Sequence, residues 1–266
     1  MIFDAHTHMN GEDFDLDRND AILRAQKAGV GAMAFVGYDE KSIRLTDDLL
    51  DTYPGLVGVY ACEAENAIDY DEDFESLLKK EIQKPKVVAI GEVGLDYYWK
   101  KSPKAIQMEV LLRQIAIAKE AKVPLAFHIR EAVDDVLEVL KTEKIDEPII
   151  HNFGYDWETA KKFLDFGAYL SFSGVTTFKK SKEVRQAAQK VPKDRYLVET
   201  DSPYLTPEPK RGQRNESQNI RYTVNRIADV RETSYETVAE ETFANTVKAY
   251  HLKWDFRKGW VKETQG

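Results

Sequence analysis

The sequence predicts an α/β protein built as a single (β/α)8 barrel of the TIM type over residues 1–266, with a metal site at the carboxyl ends of the strands. Three observations predict it. Eight short apolar runs alternate with helix-period segments along nearly the whole chain. Neither a Ser/Gly-rich linker nor an internal repeat interrupts that alternation. Four of the five histidines fall at the ends of predicted strands, the level at which such a barrel carries its reacting groups. An open doubly wound sheet is the main competitor.

The first strand, 2–8, is a short apolar run closed by His6-Thr7-His8. Side chains two apart on a strand point the same way, so His6 and His8 can reach one ion together. An amphipathic helix over 16–29 ends at a glycine, and 31–37 reads as a buried strand. Helix 41–53 is closed by Pro54, strand 56–61 follows, and helix 73–83 leads to the fourth strand, 86–92, bounded by Pro85 and by Gly91-Glu92-Val93-Gly94. The longest helix is expected over 104–122. Strands at 124–129, 148–152, 168–173 and 195–200 then alternate with helices at 132–141, 157–166 and 181–190. The proline-rich stretch 202–214 reads as a long loop, an active-site flap, and the chain from 219 reads as helical through 250 before a basic, aromatic end.

His128 follows Leu125-Ala126-Phe127 at the end of strand five, and His151 follows Ile149-Ile150 at the end of strand six. Each alone could be a satisfied core or surface histidine; together with His6 and His8 they read as metal ligands. Carboxylates stand at the same level. Glu92 ends strand four and Asp201 follows strand eight, although either could instead cap a helix or start a turn. Four imidazoles and two carboxylates exceed the three protein ligands that one catalytic zinc needs. Two ions roughly 3.5 to 4 Å apart would share them, and such a pair suits hydrolysis of a phosphoester or an acyl bond. With no lysine on strand four to be carbamylated, Glu92 is the natural bridge. Deeper on the same faces, Asp4 and Glu199 are candidates to orient the ligand imidazoles, or buried acids paired with a lysine or arginine.

Composition narrows the partners. Hydrophobic residues at 42% and charged residues at 32% describe a globular chain with a sizeable core. The net charge of −8 argues against a broad electrostatic grip on nucleic acid. Local basic rims remain at Lys100, Lys101 and Lys104, at Lys179, Lys180 and Lys182, and at Lys210, Arg211 and Arg214. Cys62 is the one cysteine, so no intrachain disulfide and no thiolate cluster can form. With no signal-like N-terminus and no membrane-length apolar run, the expected location is cytoplasmic, with no membrane and no obligate protein partner.

The motifs Phe3-Asp4-Ala5-His6-Thr7-His8, Gly91-Glu92-Val93-Gly94-Leu95-Asp96-Tyr97-Tyr98-Trp99, Pro124-Leu125-Ala126-Phe127-His128-Ile129-Arg130, His151-Asn152-Phe153 and Glu199-Thr200-Asp201-Ser202-Pro203-Tyr204-Leu205 are spread along the chain. With Arg211-Gly212-Gln213-Arg214-Asn215-Glu216 and Ala244-Asn245-Thr246, they resemble the TatD-type metal-dependent deoxyribonucleases of the amidohydrolase superfamily. The resemblance implies that His6, His8, Glu92 and Asp201 hold one metal, and that Glu92, His128 and His151 hold the other. It implies that Glu92 bridges and that Asp201 accepts the proton of the attacking water. Arg130, Lys101 and Arg211 are then candidates for phosphate contacts. Tyr97 or Trp99 would stack on a base, unless they only pack the barrel mouth.

Two departures bear on substrate rather than on ligands: Asn152-Phe153-Gly154-Tyr155 stands where the family usually has Cys-Phe-Ser-Gly, and Ser217 stands where proline is usual. The function expected is hydrolysis of phosphodiester bonds in DNA, with a small ester, lactone or amide as the alternative substrate and a non-catalytic binding barrel as the remaining class. Nitrogen and oxygen ligands without sulfur suit zinc, manganese, magnesium, cobalt, nickel or iron, and do not distinguish among them.

Overall fold

Each apolar run becomes a strand in the computed structural model, which describes residues 1–263. The strands are β1 (Ile2–Thr7), β2 (Val30–Gly37), β3 (Leu56–Tyr60), β4 (Val87–Asp96), β5 (Leu125–Arg130), β6 (Ile149–Ile150), β7 (Tyr169–Phe172) and β8 (Tyr196–Val198). They form one eight-stranded sheet in chain order from β1 to β8. The amide of Asp201, just past β8, donates to the His6 carbonyl at 2.9 Å, and the amide of His8 donates to the Ser202 carbonyl at 2.8 Å. Sequential parallel strands with the last bonded back to the first are the topology of a (β/α)8 barrel. Between them run α1 (Arg18–Lys27), α2 (Glu40–Thr52), α3 (Glu72–Glu81), α4 (Lys104–Ala121), α5 (Val133–Thr142), α6 (Trp157–Leu164) and α7 (Lys182–Lys190), and after β8 come α8 (Ile220–Arg231) and α9 (Tyr235–Ala249). None of the described helices is long and apolar enough to cross a membrane.

The chain packs as two compact units. The first comprises Met1–Phe35 and Asn152–Lys248. Its strand pair β1 and β2 is parallel, with Phe3 opposite Ala32 and Asp4 opposite Met33. Phe3 packs on Phe243 at 5.7 Å, and Phe153 sits between Phe163 and Phe172 at 6.4 and 5.9 Å. Fully burying one such ring contributes about 1.5 to 3 kcal/mol.

The second unit comprises Val36–His151 and residues 249–263. There α2 and α3 start at Asp39 and Asp71, whose carboxylates accept from the amides of Ser42 and Phe74. The ladder of β4 and β5 runs from Ile90 opposite Leu125 to Asp96 opposite Arg130, with an irregularity between Gly91 and Val93. Gly94 explains how the two strands come so close. Its φ is +148°, and a Cβ there would lie 1.9 Å from the His128 carbonyl oxygen.

Three elements differ from the sequence expectation. Strand four does not stop at 92 but continues to Asp96, because its ladder with β5 persists, so Glu92 lies inside a strand. The helix expected over 219–250 is two. Glu232 takes a left-handed conformation (φ +53°), and the Ser234 hydroxyl accepts from the Thr237 amide to start α9 afresh. The C-terminal end forms an antiparallel hairpin of β9 (Leu252–Asp255) and β10 (Gly259–Lys262), with Trp254 and Trp260 edge to face at 5.2 Å. Residues 264–266, at the end of the expected single domain, lie outside the described residues.

Candidate metal centre

In the first unit, His6 lies on β1 and His8 one residue past its end, two positions apart along the extended chain, and both are buried. Their Nε2 atoms stand 3.1 Å apart, and Asp201 Oδ1 lies 3.8 Å from the first and 3.5 Å from the second. Two nitrogens each about 2.1 Å from one ion, at tetrahedral to octahedral angles, sit roughly 3.0 to 3.4 Å apart. The spacing of the histidine pair therefore fits a shared divalent cation, and the carboxylate supplies the charge such an ion wants.

Asp201 is held from behind. Its own φ is +55°, a left-handed conformation that its neighbours must impose. Asp4 Oδ1 accepts from the Thr200 amide at 2.8 Å, and Oδ2 accepts from the Thr200 hydroxyl at 2.6 Å. Burial pushes the Asp4 carboxyl up to about 7, against hydrogen bonds from Ser217 and Thr200. Glu199 Oε1 accepts from the Asn152 amide at 2.8 Å. Fully buried Asn215 donates through Nδ2 to the carbonyls of Thr200 (3.0 Å) and Tyr204 (2.8 Å), on either side of Asp201.

Beside Asn215 lies a square of charges. Arg214 grips both oxygens of Asp17 at 2.8 Å, and Arg24 grips both oxygens of Glu216 at 2.9 Å. Cross-contacts of 2.7 Å from Arg24 to Asp17 and 2.9 Å from Arg214 to Glu216 complete the square. These hydrogen bonds hold the Asp17 carboxyl well below the usual carboxylate range. Burial opposes the same effect at Glu216, but the two arginines outweigh it. The loop read as a flap is thus laced to α1 and to the end of β8.

In the second unit, Glu92, His128 and His151 bring their ligand atoms within 4.8 Å of one another. Glu92 Oε1 is 2.8 Å from His128 Nδ1 and 3.6 Å from His151 Nε2. The far edge of His128, Nε2, meets Asp96 Oδ2 at 3.0 Å. A carboxylate behind a histidine, fixing its tautomer and orientation, is the usual support of a metal-binding imidazole. Burial opposes charge on His128, yet Asp96 and Glu92 outweigh it and push the ring up to about 10. Both carboxylates favour the protonated ring, and a metal ion bound at Nδ1 would compete with the proton there. Burial alone would raise the Asp96 carboxyl, but His128 and the amides of Trp99 and Tyr98 hold it below the usual range.

The model of the family of TatD-related DNases matches residues 3–251. The chain belongs to the TatD family. Among its relatives, the uncharacterised metal-dependent hydrolase YabD of Bacillus subtilis is 38% identical over 254 residues, covering 95% of this chain and all of the relative. The uncharacterised metal-dependent hydrolase YcfH of Escherichia coli K12 is 35% identical over 260 residues, covering 95% and 96%. The crystal structure of YjjV, a TatD homologue from Escherichia coli K12, superposes with a TM-score of 0.88 at 23% identity, over 93% of this chain and 97% of that one. A TatD-family hydrolase from Entamoeba histolytica gives 0.84 at 19% identity, over 94% and 97%. This TatD protein is a metal-dependent hydrolase on a (β/α)8 barrel.

The other residues singled out in the sequence are placed as follows. Arg130 ends β5 with its guanidinium 3.9 Å from the centre of the Tyr98 ring. Lys101 pairs with Glu65. Arg211 donates to the Thr206 carbonyl at 3.0 Å and lies 4.1 Å over the Phe178 ring, within the loop of the first unit. Tyr97 is a packing residue: it is buried, its hydroxyl bonds Asp135 at 2.5 Å, and Lys104 covers its ring. Asp96, which touches His128, and Asn215, which bonds the carbonyls of Thr200 and Tyr204, belong to the candidate site by contact, and both stand in motifs of the TatD resemblance. The even spacing of Asp96 from Glu92 was a usable signal, masked by expecting strand four to end early.

Proposed function

We propose that this TatD protein hydrolyses phosphodiester bonds in DNA, in the cytoplasm, with two divalent ions. The observation that most supports the reading is the pair of donor sets, His6, His8 and Asp201 in one unit and Glu92, His128 and His151 in the other, each with a buried carboxylate support behind it. The family resemblance assigns His6, His8, Glu92 and Asp201 to one metal, and Glu92, His128 and His151 to the other. Divalent ions bound there supply Lewis-acid activation of water and neutralise charge on the phosphate.

The chain's own groups do the rest. Asp201, fixed by its left-handed backbone and by Asn215, accepts the proton of the attacking water. His128 keeps its metal-facing edge presented because Asp96 holds the opposite edge. Asp4, buried and bonded to Thr200, keeps the carboxyl end of β8 against β1.

The test is elemental analysis of the purified protein alongside cleavage of single-stranded DNA with and without added divalent ions. About two ions per chain and metal-dependent cleavage, lost in both Glu92→Ala and Asp201→Ala while the fold persists, is the expected result. Stoichiometric metal with turnover of small esters, lactones or amides and none of DNA would overturn the substrate; full activity in both variants would overturn the mechanism.

A further inference from the structure

Arg130 lies two residues after His128, on the same face of β5, and directly opposite Asp96 of β4. Its guanidinium rests against two aromatic rings, 3.9 Å from the centre of Tyr98 and 5.3 Å from that of Trp99. Those rings meet edge to face at 5.0 Å and are 48% and 53% exposed. The turn that carries them is fixed by the site itself. Asp96 Oδ1 accepts from the amides of Tyr98 (2.9 Å) and Trp99 (3.0 Å), while Oδ2 of the same carboxylate holds His128.

Among the described residues the Arg130 guanidinium makes no hydrogen bond or salt bridge. Arg24, Arg113 and Arg214, by contrast, all meet carboxylates. Five N–H donors are therefore held in one place, half-buried, with no acceptor from the protein. A surface cation–π pair accounts for the contact with Tyr98. It does not account for a second large ring left open beside it, nor for a planar fork of donors aimed at nothing two residues from a metal-ligand histidine.

We propose that Tyr98, Trp99 and Arg130 form a nucleotide subsite, in which Trp99 stacks on a nucleobase and Arg130 binds a phosphate next to it. The proposal rests on the DNA-hydrolysis reading and adds what that reading lacks, a feature that tells a nucleotide from any other phosphoester. An aromatic face is indifferent to base identity, so the subsite takes all four bases. The guanidinium, flattened on Tyr98, keeps its edge for bidentate phosphate binding.

The probe pair is thymidine 5′-monophosphate and deoxyribose 5-phosphate, titrated into the full-length, metal-loaded protein by calorimetry. The wild type is expected to favour the nucleotide by about five- to a hundredfold, the range one base–aromatic stack gives. Trp99→Ala removes that preference without weakening the sugar phosphate, and Trp99→Phe restores it. Arg130→Gln weakens both ligands by the same factor, about tenfold. A preference retained in Trp99→Ala, or absent from the wild type, overturns the stacking role; unchanged affinities in Arg130→Gln overturn the phosphate role. The titration needs no turnover. A protein that cleaves no DNA yet loses its base preference with Trp99 would overturn the hydrolysis reading and leave the subsite standing.

Discussion

Replacing Asp96 by asparagine isolates the support of His128, a proposed metal ligand. The substitution keeps Oδ1, which accepts from the amides of Tyr98 and Trp99 at 2.9 and 3.0 Å. It changes only the atom 3.0 Å from His128 Nε2, turning an acceptor into an NH2 donor. The imidazole then accepts at Nε2 and carries its proton on Nδ1, the edge that faces Glu92 at 2.8 Å. A protonated nitrogen cannot ligate, so each binding event must first pay for a tautomer change. Loss of such a support lowers metal affinity about 10- to 100-fold, or about 1.4 to 2.7 kcal/mol. Calorimetric titration of the metal-free variant with zinc or manganese measures it, with near-ultraviolet circular dichroism to check that the fold is intact. Wild-type affinity in a folded Asp96→Asn protein would refute the assignment of Asp96 as the residue that orients His128.

Other outcomes follow from the same geometry. Gly94→Ala drives a Cβ into the His128 carbonyl and strains a positive φ; a loss of at least about 3 kcal/mol is expected, a fall in Tm of roughly 6 °C or more in a thermal melt. In the arginine–carboxylate square the Asp17 and Glu216 carboxyls lie below their ordinary values, so the stability they contribute is complete above pH of about 4 to 5 and is lost as pH falls through their depressed values. Arg214→Gln should therefore cost about 1 to 2 kcal/mol at pH 7, with the gap to wild type closing in melts taken towards pH 2. Stripping metal with a chelator removes ligand-linked stability, about 2.7 kcal/mol when the ion was present at a hundred times its Kd, and lowers Tm by roughly 5 to 10 °C in a melt with and without the chelator.

Much of the barrel could be read from the chain because its signals are local. Apolar runs such as Ile149-Ile150 and Tyr196-Leu197-Val198 are buried on both faces, and nothing but a strand suits them between helices. The placement of the candidate donors was legible for a related reason: His6, His8, His128, His151 and Asp201 stand at or just past the ends of strands, the positions where such a barrel carries its reacting groups. What stayed hidden depends on distant partners. The continuation of β4 to Asp96 is decided by β5, and the clamp of Asn215 on Thr200 and Tyr204 joins segments that no periodicity links. The break at Glu232 turns on a non-glycine residue in a left-handed conformation, which no residue preference announces, although Thr233 and Ser234 favour a cap over a helix interior. The C-terminal hairpin is too short and too charged to outweigh its neighbours as a strand signal.

The bond between Asp4 and Thr200 spans 196 positions of the chain, and Asp201 comes just after it. A ribosome adding about 5 to 20 residues per second makes His6 and His8 roughly ten to forty seconds before that carboxylate exists. Through that interval the nascent chain holds two imidazoles without that carboxylate. His6, His8 and Asp201 come together only when the eighth strand has been made and has docked on the first. Assembly of this donor set therefore waits on the last strand of the barrel, and a chain stalled before residue 201 cannot form it.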